Sequence, residues 1–368
     1  MSHSTQPIAV AIAGLGFGEA VHLPALQANS ALRAAALWHP SRDRLQQATE
    51  QHGLPGYNDW NSLLDNPEIE AVIIATPPEP RFGLAQQAIN AGKHLLLEKP
   101  VALNADQVEQ LQRLAMRQQR SVAVNFEYRA VPLFMQAQRL LVDGAVGTPW
   151  LVKLDWLMSS RADGKRPWSW YSQSSAGGGV IGALGTHAFD ILAWLIGPVS
   201  KVQAMNSVSI TQRHHPTAGS LTVDAEDTSL IQAQLQISDS PEHYVPAQIT
   251  LSSVARCGRG CWLEVYGSQG SLILGSNNQS DYVHGFGLWH APAGERLRSV
   301  PAAPDLAFSK TWGDGRIAPV ARLQSWWAKS MCGGPLMIPS LVEGFESQLA
   351  CDQALGKDQS LGLIKAKW

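Results

Sequence analysis

The sequence predicts an α/β fold in which a doubly wound parallel sheet is followed by a second, α+β domain. In the first 125 residues, short continuous apolar runs alternate with helical segments, which is typical of a parallel sheet covered by helices on both faces. After Asn125, longer stretches alternate apolar and polar residues, as half-exposed antiparallel strands do. We therefore expect a large, mostly antiparallel sheet with one open face in the second domain.

The first domain is predicted from a regular succession of apolar runs and helical segments. Gly92 directly follows the second helical segment, where a glycine commonly ends a helix. Right-handed crossovers between its parallel strands would make the sheet doubly wound. The predicted strands are Ile8–Ala13, Ala31–Trp38, Ala71–Thr76, His94–Glu98 and Ser121–Asn125, and the helices are Ser41–His52, Pro80–Ala91 and Asn104–Gln118.

The remaining chain is predicted to form the second domain, because 368 residues are too many for one ordinary core. We place the first domain at residues 1–125 and the second at 126–368, and the C-terminal helices can pack back on the first domain. The predicted strands are Pro149–Met158, Ser200–Thr211, Glu226–Ile237, Ala247–Val254, Cys261–Tyr266 and Ser271–Leu274, and the helices are Val131–Val142, Gly178–Ile196, Pro319–Lys329 and Ser340–Ala354.

Composition argues against several classes of partner. The net charge is −2 and no block of like charges occurs, so we expect no nucleic-acid partner. No uncharged apolar run reaches the about 18 residues of a membrane span, and the N-terminus lacks the features of a signal peptide, so we expect a cytoplasmic protein without membrane contact. Cys257 and Cys261 have no matching Cys/His pair, so we expect no metal site.

A glycine-rich turn directly follows the first predicted strand. Gly14 permits the tight turn, and Gly16 lets the backbone approach a pyrophosphate at the start of the next helix. The third glycine of the usual spacing is replaced by Glu19, so we expect Gly18 to take over its close-packing role. With Phe17, these glycines predict a Rossmann-type dinucleotide-binding site; a merely structural turn is the alternative.

The end of the second predicted strand indicates which dinucleotide is bound. An acidic residue that would bind the ribose 2′-hydroxyl is expected there, but the sequence has Ser41 and Arg42 instead. A hydroxyl and a guanidinium suit a 2′-phosphate, so we predict NADP in preference to NAD. The alternative is that Arg42 and Arg44 are solvated charges at the start of a helix.

Lys99 stands at the end of the fourth predicted strand, between Glu98 and Pro100. Ligands of doubly wound sheets bind at the carboxyl ends of the strands, so Lys99 is expected at the cofactor site. A lysine there can donate a proton to a carbonyl group or polarise it. The alternative is a structural ion pair between Lys99 and Glu98 at the surface.

Several motifs occur together in an order that resembles the Gfo/Idh/MocA family of oxidoreductases. Their combination is far more specific than any one of them, and the resemblance covers nearly the whole chain. The motifs are Gly14-Leu-Gly16, Ala75-Thr76-Pro77-Pro78, Glu98-Lys99-Pro100, Arg129-Ala-Val-Pro132, Gly144-Ala-Val-Gly147, the stretch from Gly177-Gly-Gly to His187 and Asp190, and Trp194-Leu-Ile-Gly197.

The resemblance implies hydride exchange between a nicotinamide and a secondary alcohol or hemiacetal, often of a sugar or inositol. It implies that Lys99 and His187 flank the reacting oxygen as catalytic residues, and that Thr76, Pro77 and Glu98 help to bind the cofactor. His187 alone would more often be a core histidine. Asp190 lies on the same helix face at i+3 and could orient it.

Two positions depart from the family pattern. Many members have an aspartate four residues before the histidine as a third catalytic group, and Ala183 stands there in this chain. A histidine often follows the Thr-Pro turn in the family, whereas Arg81 or Phe82 takes that place here. The first departure puts the usual alcohol-oxidising mechanism in doubt, and neither removes the cofactor site.

Candidate substrate residues come from two stretches of the chain. Arg166 and Trp168 lie in an aromatic and basic loop, in which tryptophan can stack on a sugar and arginine can hold an anion. Asn125, Tyr128 and Arg129 are further candidates, while simple packing remains the alternative for the aromatic residues. An open sheet face usually packs against another subunit, so we expect a homodimer or homotetramer formed through the sheet.

Two functions other than net dehydrogenation remain open. The protein could be a cofactor-binding sensor or regulator with weak catalysis, which Ala183 favours and the retention of Lys99 and His187 disfavours. It could also use transient oxidation by a tightly held cofactor to cleave or isomerise a substrate without net redox change. Our main prediction is an NAD(P)-dependent dehydrogenase or reductase of a sugar-like substrate.

Overall fold

A computed structural model describes residues 6–357 except 238–242, 279 and 282. The chain divides into two compact units. The first comprises Met1–Ala130 and Ser309–Phe345, and the second comprises Val131–Phe308 and Glu346–Trp368. The division after Ala130 lies close to the predicted boundary at residue 125, but the later part of the chain contributes to both units.

The elements follow the predicted alternation of strands and helices in the first half of the chain. The strands are β1 Ile8–Ala13, β2 Leu32–Trp38, β3 Gly56–Tyr57, β4 Ala71–Ile74, β5 His94–Leu97, β6 Val122–Val124, β7 Pro149–Leu157, β8 Val199–Ser207, β9 Gln212–His215, β10 Gly219–Thr222, β11 Thr228–Gln236, β12 Tyr244–Ser252, β13 Gly260–Gly267, β14 Gly270–Ser276, β15 Gly287–Pro292 and β16 Arg298–Ser299. The α-helices are α1 Leu23–Gln27, α2 Arg42–His52, α3 Trp60–Leu64, α4 Pro78–Asn90, α5 Ala105–Arg117, α6 Pro132–Val142, α7 Thr186–Leu195, α8 Ile317–Met331 and α9 Leu341–Ala354. Two π-helical segments, Gly18–His22 and Ile181–Gly185, run directly into α1 and α7.

The first unit is built on a six-stranded, entirely parallel sheet of order β3-β2-β1-β4-β5-β6. Reversal of the strand order between β1 and β4 is the topological switch point of a doubly wound sheet. Every residue of β4 is buried, as expected of a strand covered on both faces. Ser41, Asp59 and Asn104 cap helices α2, α3 and α5 by accepting a hydrogen bond from the backbone N–H three residues later. The predicted parallel sheet is confirmed.

Helix α8 belongs to the first unit, although the sequence-based boundary placed it in the second domain. Its Leu323 and Trp327 are fully buried in a core that includes Val10 and Ile12 of β1. The apolar stripe of α8 therefore covers one face of the parallel sheet. The prediction allowed the C-terminal helices to pack back on the first domain, and α8 does so.

The second unit contains an eight-stranded sheet of order β16-β15-β14-β13-β7-β12-β11-β8. All neighbouring strands are antiparallel except β7 and β12, which are parallel. Strands β11 and β12 alternate buried and more exposed residues, so one face of the sheet is covered and the other is open. The predicted mostly antiparallel, open-faced sheet is confirmed.

Several short elements were not predicted, among them strand β3 and helix α3. The expected strand Ser200–Thr211 ends at Ser207, and the chain then forms the separate hairpin of β9 and β10. Strand β15 and the edge strand β16 were also missed. These segments are short and little buried, so they lack the apolar alternation on which strand prediction depends.

One helical stretch of the second unit is unusually apolar. By length and composition Ser174–Leu195 could cross a membrane, but 72% of its 18-residue apolar stretch is buried inside the structure. That degree of burial is the property of a core helix. Among the described residues, no group of three or more His, Cys, Asp and Glu side chains is arranged to hold a metal ion.

Candidate active site

The glycine turn after β1 packs directly on the turn after β4. Gly14 has φ +100°, and a Cβ there would lie 2.7 Å from the carbonyl carbon of Ala75. A Cβ on Gly18 would lie 2.9 Å from the Ile12 side chain, so this glycine lets the helix start pack closely against β1. Gly16 is exposed and has open space where a side chain would be. The turn is therefore packed on its inner side and open on its outer side.

These observations test whether the turn fits a dinucleotide. A pyrophosphate needs free backbone approach at a helix start, and the open side of Gly16 provides it. Phe17 lies beside it, with the Arg316 guanidinium 5.4 Å from its ring. The buried hydroxyl of Thr76, at the end of β4, makes no hydrogen bond within the part of the chain that is described. The residues present thus fit a dinucleotide along the carboxyl ends of β1 and β4.

The segment after β2 carries the cations Arg42 and Arg44, with Asp43 between them. Ser41 caps α2, and its backbone N–H donates to Nδ1 of His39 at 3.0 Å. Burial, with a smaller contribution from the Arg44 charge, lowers the pKa of His39 despite a hydrogen bond to Ser41. The Arg44 guanidinium donates to the carbonyl of Leu15 in the glycine turn at 3.4 Å, whereas Arg42 is exposed. A positive group therefore contacts the turn itself.

Arg81 ties the turn after β4 to the segment after β5. Its guanidinium is 3% exposed and donates to the carbonyl of Glu98 at 2.6 Å, and also to the carbonyls of Pro100 and Thr76. The planar fork of arginine suits three carbonyls at once. At the position where the resembling family often has a histidine, this chain therefore has an arginine that fixes the backbone on both sides of Lys99.

Glu98 is the centre of a buried network of side chains. Its Oε1 accepts hydrogen bonds from Nε2 of His22 at 2.8 Å and from Nδ2 of Asn125 at 2.7 Å. Nε2 of Gln324 lies 3.3 Å from Nδ1 of His22 and donates to the His22 carbonyl at 3.2 Å. Because Gln324 can only donate from this nitrogen, Nδ1 accepts, and the hydrogen of His22 lies on Nε2 and points to Glu98.

This network keeps Glu98 ionised next to Lys99. Burial opposes its ionisation, but the hydrogen bond from His22, with the charges of Lys99 and Arg81, lowers the pKa of Glu98 overall. The backbone N–H of Lys99 donates to Oε2 of Glu98 at 3.3 Å. The alternative of a pair at the surface does not describe Glu98, which is 7% exposed and is held by groups of the interior.

A second carboxyl group, Glu127, lies in the turn after β6. It is 4% exposed and belongs to the 3₁₀ turn Glu127–Ala130. Burial raises its pKa to about 8; the nearby charge of Lys99 opposes the rise, and that of Glu98 adds to it. Sequence reasoning passed over this residue, although an acid between the apolar residues Phe126 and Tyr128 is an unusual pattern.

In the second unit, the start of the helix that carries His187 is bound by Glu226. The backbone N–H of Ile181 donates to Oε1 of Glu226 at 2.8 Å, and that of Val180 donates to the Glu226 carbonyl at 2.8 Å. Gly179 has φ +96°, and a Cβ there would lie 2.2 Å from Oε1. The run of glycines thus leaves room for a buried carboxyl group, which the sequence did not reveal.

His187 and Asp190 are both buried on this helix, at 4% and 2% exposure. The ring of His187 lies 6.1 Å from that of Trp156 on β7, measured between centroids. The carbonyl of Thr186 accepts a hydrogen bond from the Ser347 hydroxyl at 2.7 Å. The histidine is therefore set in a packed environment, and Ala183 lies one turn before it.

The aromatic and basic loop of the second unit is held by backbone contacts. Arg213 donates to the carbonyls of Arg161, Asp163 and Arg166 at 2.6, 2.9 and 3.2 Å. The exposed Arg166 donates to the carbonyl of Ser160. Trp168 Nε1 donates to the carbonyl of Thr222, and its ring contacts His215 edge-on. The Arg161 guanidinium stacks 3.7 Å from the Tyr171 ring centre. The loop is thus an ordered element whose cations are close together.

The predicted site residues fall into three groups in the structure. The first lies along the carboxyl edge of the parallel sheet and comprises Gly14, Gly16, Phe17, Gly18, Thr76, Pro77, Glu98, Lys99, Asn125 and Tyr128. Ser41 and Arg42 follow β2 at the same edge. The third group, comprising Arg166, Trp168, His187 and Asp190, lies in the second unit. Asn125 is fully buried, and its side-chain amide donates a hydrogen bond to Glu98.

Two domain profiles of one protein family match this chain. The profile described as an oxidoreductase family with a NAD-binding Rossmann fold matches residues 8–126, and the GFO/IDH/MocA C-terminal domain matches residues 134–273. The fold and the glycine turn define a NAD-binding oxidoreductase. The chain belongs to the GFO/IDH/MocA family, which confirms the resemblance inferred from the motifs.

Relatives and solved structures agree with this assignment. An uncharacterized oxidoreductase of Synechocystis sp. is 43% identical over 94% of this chain and 92% of its own length. Levoglucosan dehydrogenase of Pseudarthrobacter phenanthrenivorans is 25% identical over 80% of this chain and 79% of its own. A structure of levoglucosan dehydrogenase with NADH and L-sorbose matches with TM-score 0.84 and 23% identity, covering 96% of both chains. An inositol dehydrogenase homolog from Azotobacter vinelandii with NADH and myo-inositol matches with TM-score 0.80 and 18% identity, covering 96% of this chain and 95% of its own.

Proposed function

We propose that the protein is a dehydrogenase or reductase that acts on a secondary alcohol or carbonyl group of a sugar, inositol or similar small polar molecule. The observation that carries this proposal is the placement of Lys99 at the carboxyl edge of the parallel sheet, with its backbone bound to the buried carboxyl group of Glu98. Levoglucosan and inositol dehydrogenases among the similar proteins support the substrate class.

When bound, the nicotinamide cofactor supplies or accepts the hydride. The ammonium group of Lys99 donates a proton to the substrate oxygen in reduction, and the amine takes that proton back in oxidation. The Glu98 carboxylate, fixed by His22 and Asn125, holds the Lys99 backbone in place. His187 provides a second polar group toward the substrate oxygen, oriented by Asp190. Arg166, Trp168 and Tyr128 contribute to substrate binding.

We further propose that the cofactor is NADP in preference to NAD. Ser41 and Arg42 replace the acidic residue that would bind the 2′-hydroxyl, and Arg44 places a second cation at the glycine turn. Arg42→Ala should weaken NADP binding by about 10-fold or more, because charged hydrogen bonds contribute roughly 1.5–3 kcal/mol. NAD binding should stay unchanged, and Arg33→Ala on the exposed side of β2 is the matched control. Equal losses for both cofactors would show that Arg42 does not contact the 2′-phosphate.

The open face of the eight-stranded sheet supports a homodimer or homotetramer. Met205 and Leu230 are paired on this face and are 67% and 45% exposed. Beside them a polar row runs in register across five strands: Gln203, Gln232, Gln248, Lys153 and Glu264. Met205→Glu should lower the molar mass measured by light scattering. An unchanged mass would show that the interface between subunits lies elsewhere. A cytoplasmic location also stays a prediction from the sequence.

The decisive experiment is a substrate panel with purified protein. The protein would be mixed with NADP or NAD and with cyclic polyols, anhydrosugars and inositols, while nicotinamide absorbance is followed. Reduction of the cofactor by at least one compound would support the proposal. If the cofactor binds but no compound reduces it, the result would favour a sensor, the function that Ala183 also favours. Consumption of substrate without any net absorbance change would favour transient oxidation.

A further inference from the structure

The aromatic and basic loop of the second unit, residues 161–171, brings four guanidinium groups together. Arg161 and Arg166 belong to the loop itself. Arg213 and Arg256 contact it by donating to its backbone carbonyls. Within the part of the chain that is described, none of the four forms an ion pair with a carboxylate. The loop therefore concentrates positive charge that no acidic side chain pairs with.

Acidic residues of the same region are bound by backbone N–H groups instead. Asp163 accepts from the N–H of Lys165 at 2.9 Å, and Asp227 accepts from the N–H of Ser209 at 2.7 Å. Burial lowers the pKa of Arg213 even though both carboxylates attract its charge. Such a place favours the binding of an anion from outside the chain, because the anion relieves the repulsion between the guanidinium groups.

The Arg161 side chain is held against an aromatic ring. Its guanidinium carbon lies 3.7 Å from the ring centre of Tyr171, and the ring of Trp170 stacks on Tyr171 with centres 3.7 Å apart. Because this is already van der Waals contact, Arg161 and Trp170 must lie on opposite faces of Tyr171. Among the described residues, Arg161 donates to no carbonyl or carboxylate oxygen. Its planar fork of N–H groups is therefore fixed in place and available to a ligand.

The loop packs on the start of the helical segment that carries His187. The N–H of Gly179 donates to the carbonyl of Tyr171 at 3.1 Å, and a Cβ on Gly178 would lie 2.6 Å from the same carbonyl oxygen. Strand β7 leads into the loop and carries Trp156, whose ring centre is 6.1 Å from that of His187. The guanidinium groups and His187 therefore lie at the same end of the second unit.

We propose that the substrate is a sugar acid or a sugar phosphate whose anionic group is bound by Arg161 and Arg166, an inference that rests on the proposed function. The shared chemistry is an oxyanion, because guanidinium groups bind carboxylate and phosphate oxygens with paired, charge-assisted hydrogen bonds. The reacting hydroxyl or carbonyl group belongs to the carbon skeleton of the same molecule. Arg161 and Arg166 are then substrate-binding residues that determine specificity.

Two further observations support these two residues. The Arg213 guanidinium donates to the backbone carbonyls of Arg161 and Arg166 at 2.6 and 3.2 Å, so both are positioned before any ligand binds. Burial, with the charges of Arg166 and Arg213, lowers the pKa of Arg161 to about 10 although Tyr171 opposes this change. An anion beside Arg161 would stabilise its charged form, and the same interaction holds the anion.

Matched neutral and anionic sugars test the substrate class with the cofactor-loaded enzyme. Glucose, galactose and mannose would each be compared with the corresponding uronic acid, aldonic acid and 6-phosphate. The kcat/KM of at least one anionic compound should exceed that of its neutral sugar by about 10-fold or more, the scale of charged hydrogen bonds. A preference for acids identifies a carboxylate, and a preference for 6-phosphates identifies a phosphate.

The two proposals fail in different ways. Hydride transfer to neutral compounds alone, or equal kcat/KM for neutral and anionic partners, would overturn the anionic substrate and leave the dehydrogenase standing. Hydride transfer to none of these sugars and to none of the polyols, anhydrosugars and inositols would overturn the proposed function, and the anionic substrate with it.

Arg161→Gln tests the residue itself. The preference for the anionic over the neutral sugar should fall by about 10-fold or more, mainly through KM, and Arg161→Lys should restore part of it. Both rates come from the same folded enzyme, so a partly unfolded variant does not distort their ratio. Arg259→Gln is the matched control, because Arg259 lies 4.2 Å from the Trp262 ring centre but has Glu264 at 3.6 Å. A wild-type preference in Arg161→Gln would overturn the role of Arg161.

Discussion

A buried carboxyl group binds the backbone of Lys99 in the first unit, and another binds the start of the helical segment that carries His187 in the second: Glu98 and Glu226. Glu98 is bound by side chains, the ring of His22 and the amide of Asn125. Glu226 is bound by backbone N–H of Ile181 at the start of a helix. The first arrangement is an ionised network that contacts the residue proposed to donate the proton. The second is a structural cap, and it sets the position of a whole helix.

This difference separates changes that affect chemistry from changes that affect folding. The network around Glu98 binds the backbone of Lys99. Replacing the Lys99 side chain should therefore lower turnover and leave stability almost unchanged. The cap at Glu226 works only because Gly179 leaves space for it. Filling that space should mainly lower the stability of the second unit. The turnover rate should change only because His187 is displaced. The predictions below test this contrast.

The largest effect is expected for Lys99→Met. Turnover should fall by about 10²-fold or more, since acid–base catalysis by one side chain contributes roughly 10²–10⁴-fold. The cofactor Kd and the unfolding midpoint should remain those of the wild type, because methionine keeps the apolar stem. Lys310→Met, the same substitution at an exposed position of the first unit, is the control. A wild-type rate in Lys99→Met would remove Lys99 from the mechanism.

Most of the fold could be predicted from the sequence, because the parallel strands are short apolar runs that can be recognised from local sequence alone. The glycine turn and Lys99 were predicted for the same reason, since each follows such a strand. The partners of Glu98 were not, because His22 is 76 residues away in the chain. Contacts of this kind depend on which strand ends become neighbours, and no local pattern encodes that choice.

Arg81 and Glu226 show a second limit of sequence reasoning. An arginine near a helix start and an acid before a strand are usually solvated residues. Only the structure shows that Arg81 binds three carbonyls and that Glu226 binds a helix start. The acidic pair Glu226–Asp227 was a usable signal, because it stands directly before a strand of regular alternation.

A smaller effect than that of Lys99→Met is expected for Gly179→Ala. The added Cβ would lie 2.2 Å from the carboxyl oxygen of Glu226, and the φ of +96° is unfavourable for alanine. We expect a loss of about 1–3 kcal/mol in the free energy of unfolding, the usual cost of backbone strain at one residue. Gly164→Ala, where a Cβ meets nothing within 4 Å, should be neutral in urea unfolding. A neutral Gly179→Ala would show that the cap is not tightly packed.

The smallest effects should be opposite in sign for Glu98→Gln and Glu226→Gln. The hydrogen bond from His22 lowers the pKa of Glu98 against its burial, while burial raises the pKa of Glu226 above its ordinary value of 4.5. Ionised Glu98 therefore adds stability above pH 4.5 that is lost as the pH falls through its folded pKa. Glu226 adds stability below pH 4.5 that is lost as the pH rises through its folded pKa.

Urea unfolding across this pH range would measure both differences from the wild type. The advantage of the wild type over Glu98→Gln should shrink toward acid pH, and its advantage over Glu226→Gln should shrink toward neutral pH. The pH dependence that Glu127 contributes is also present in Glu226→Gln and cancels in that difference. Removal of the Glu98 charge changes the pKa of Glu127, so the comparison with Glu98→Gln is made at pH 4.5 and below. Slopes of the same sign would mean that both carboxyl groups are governed by one environment, and the contrast between a carboxyl group with a lowered pKa and one with a raised pKa would fail.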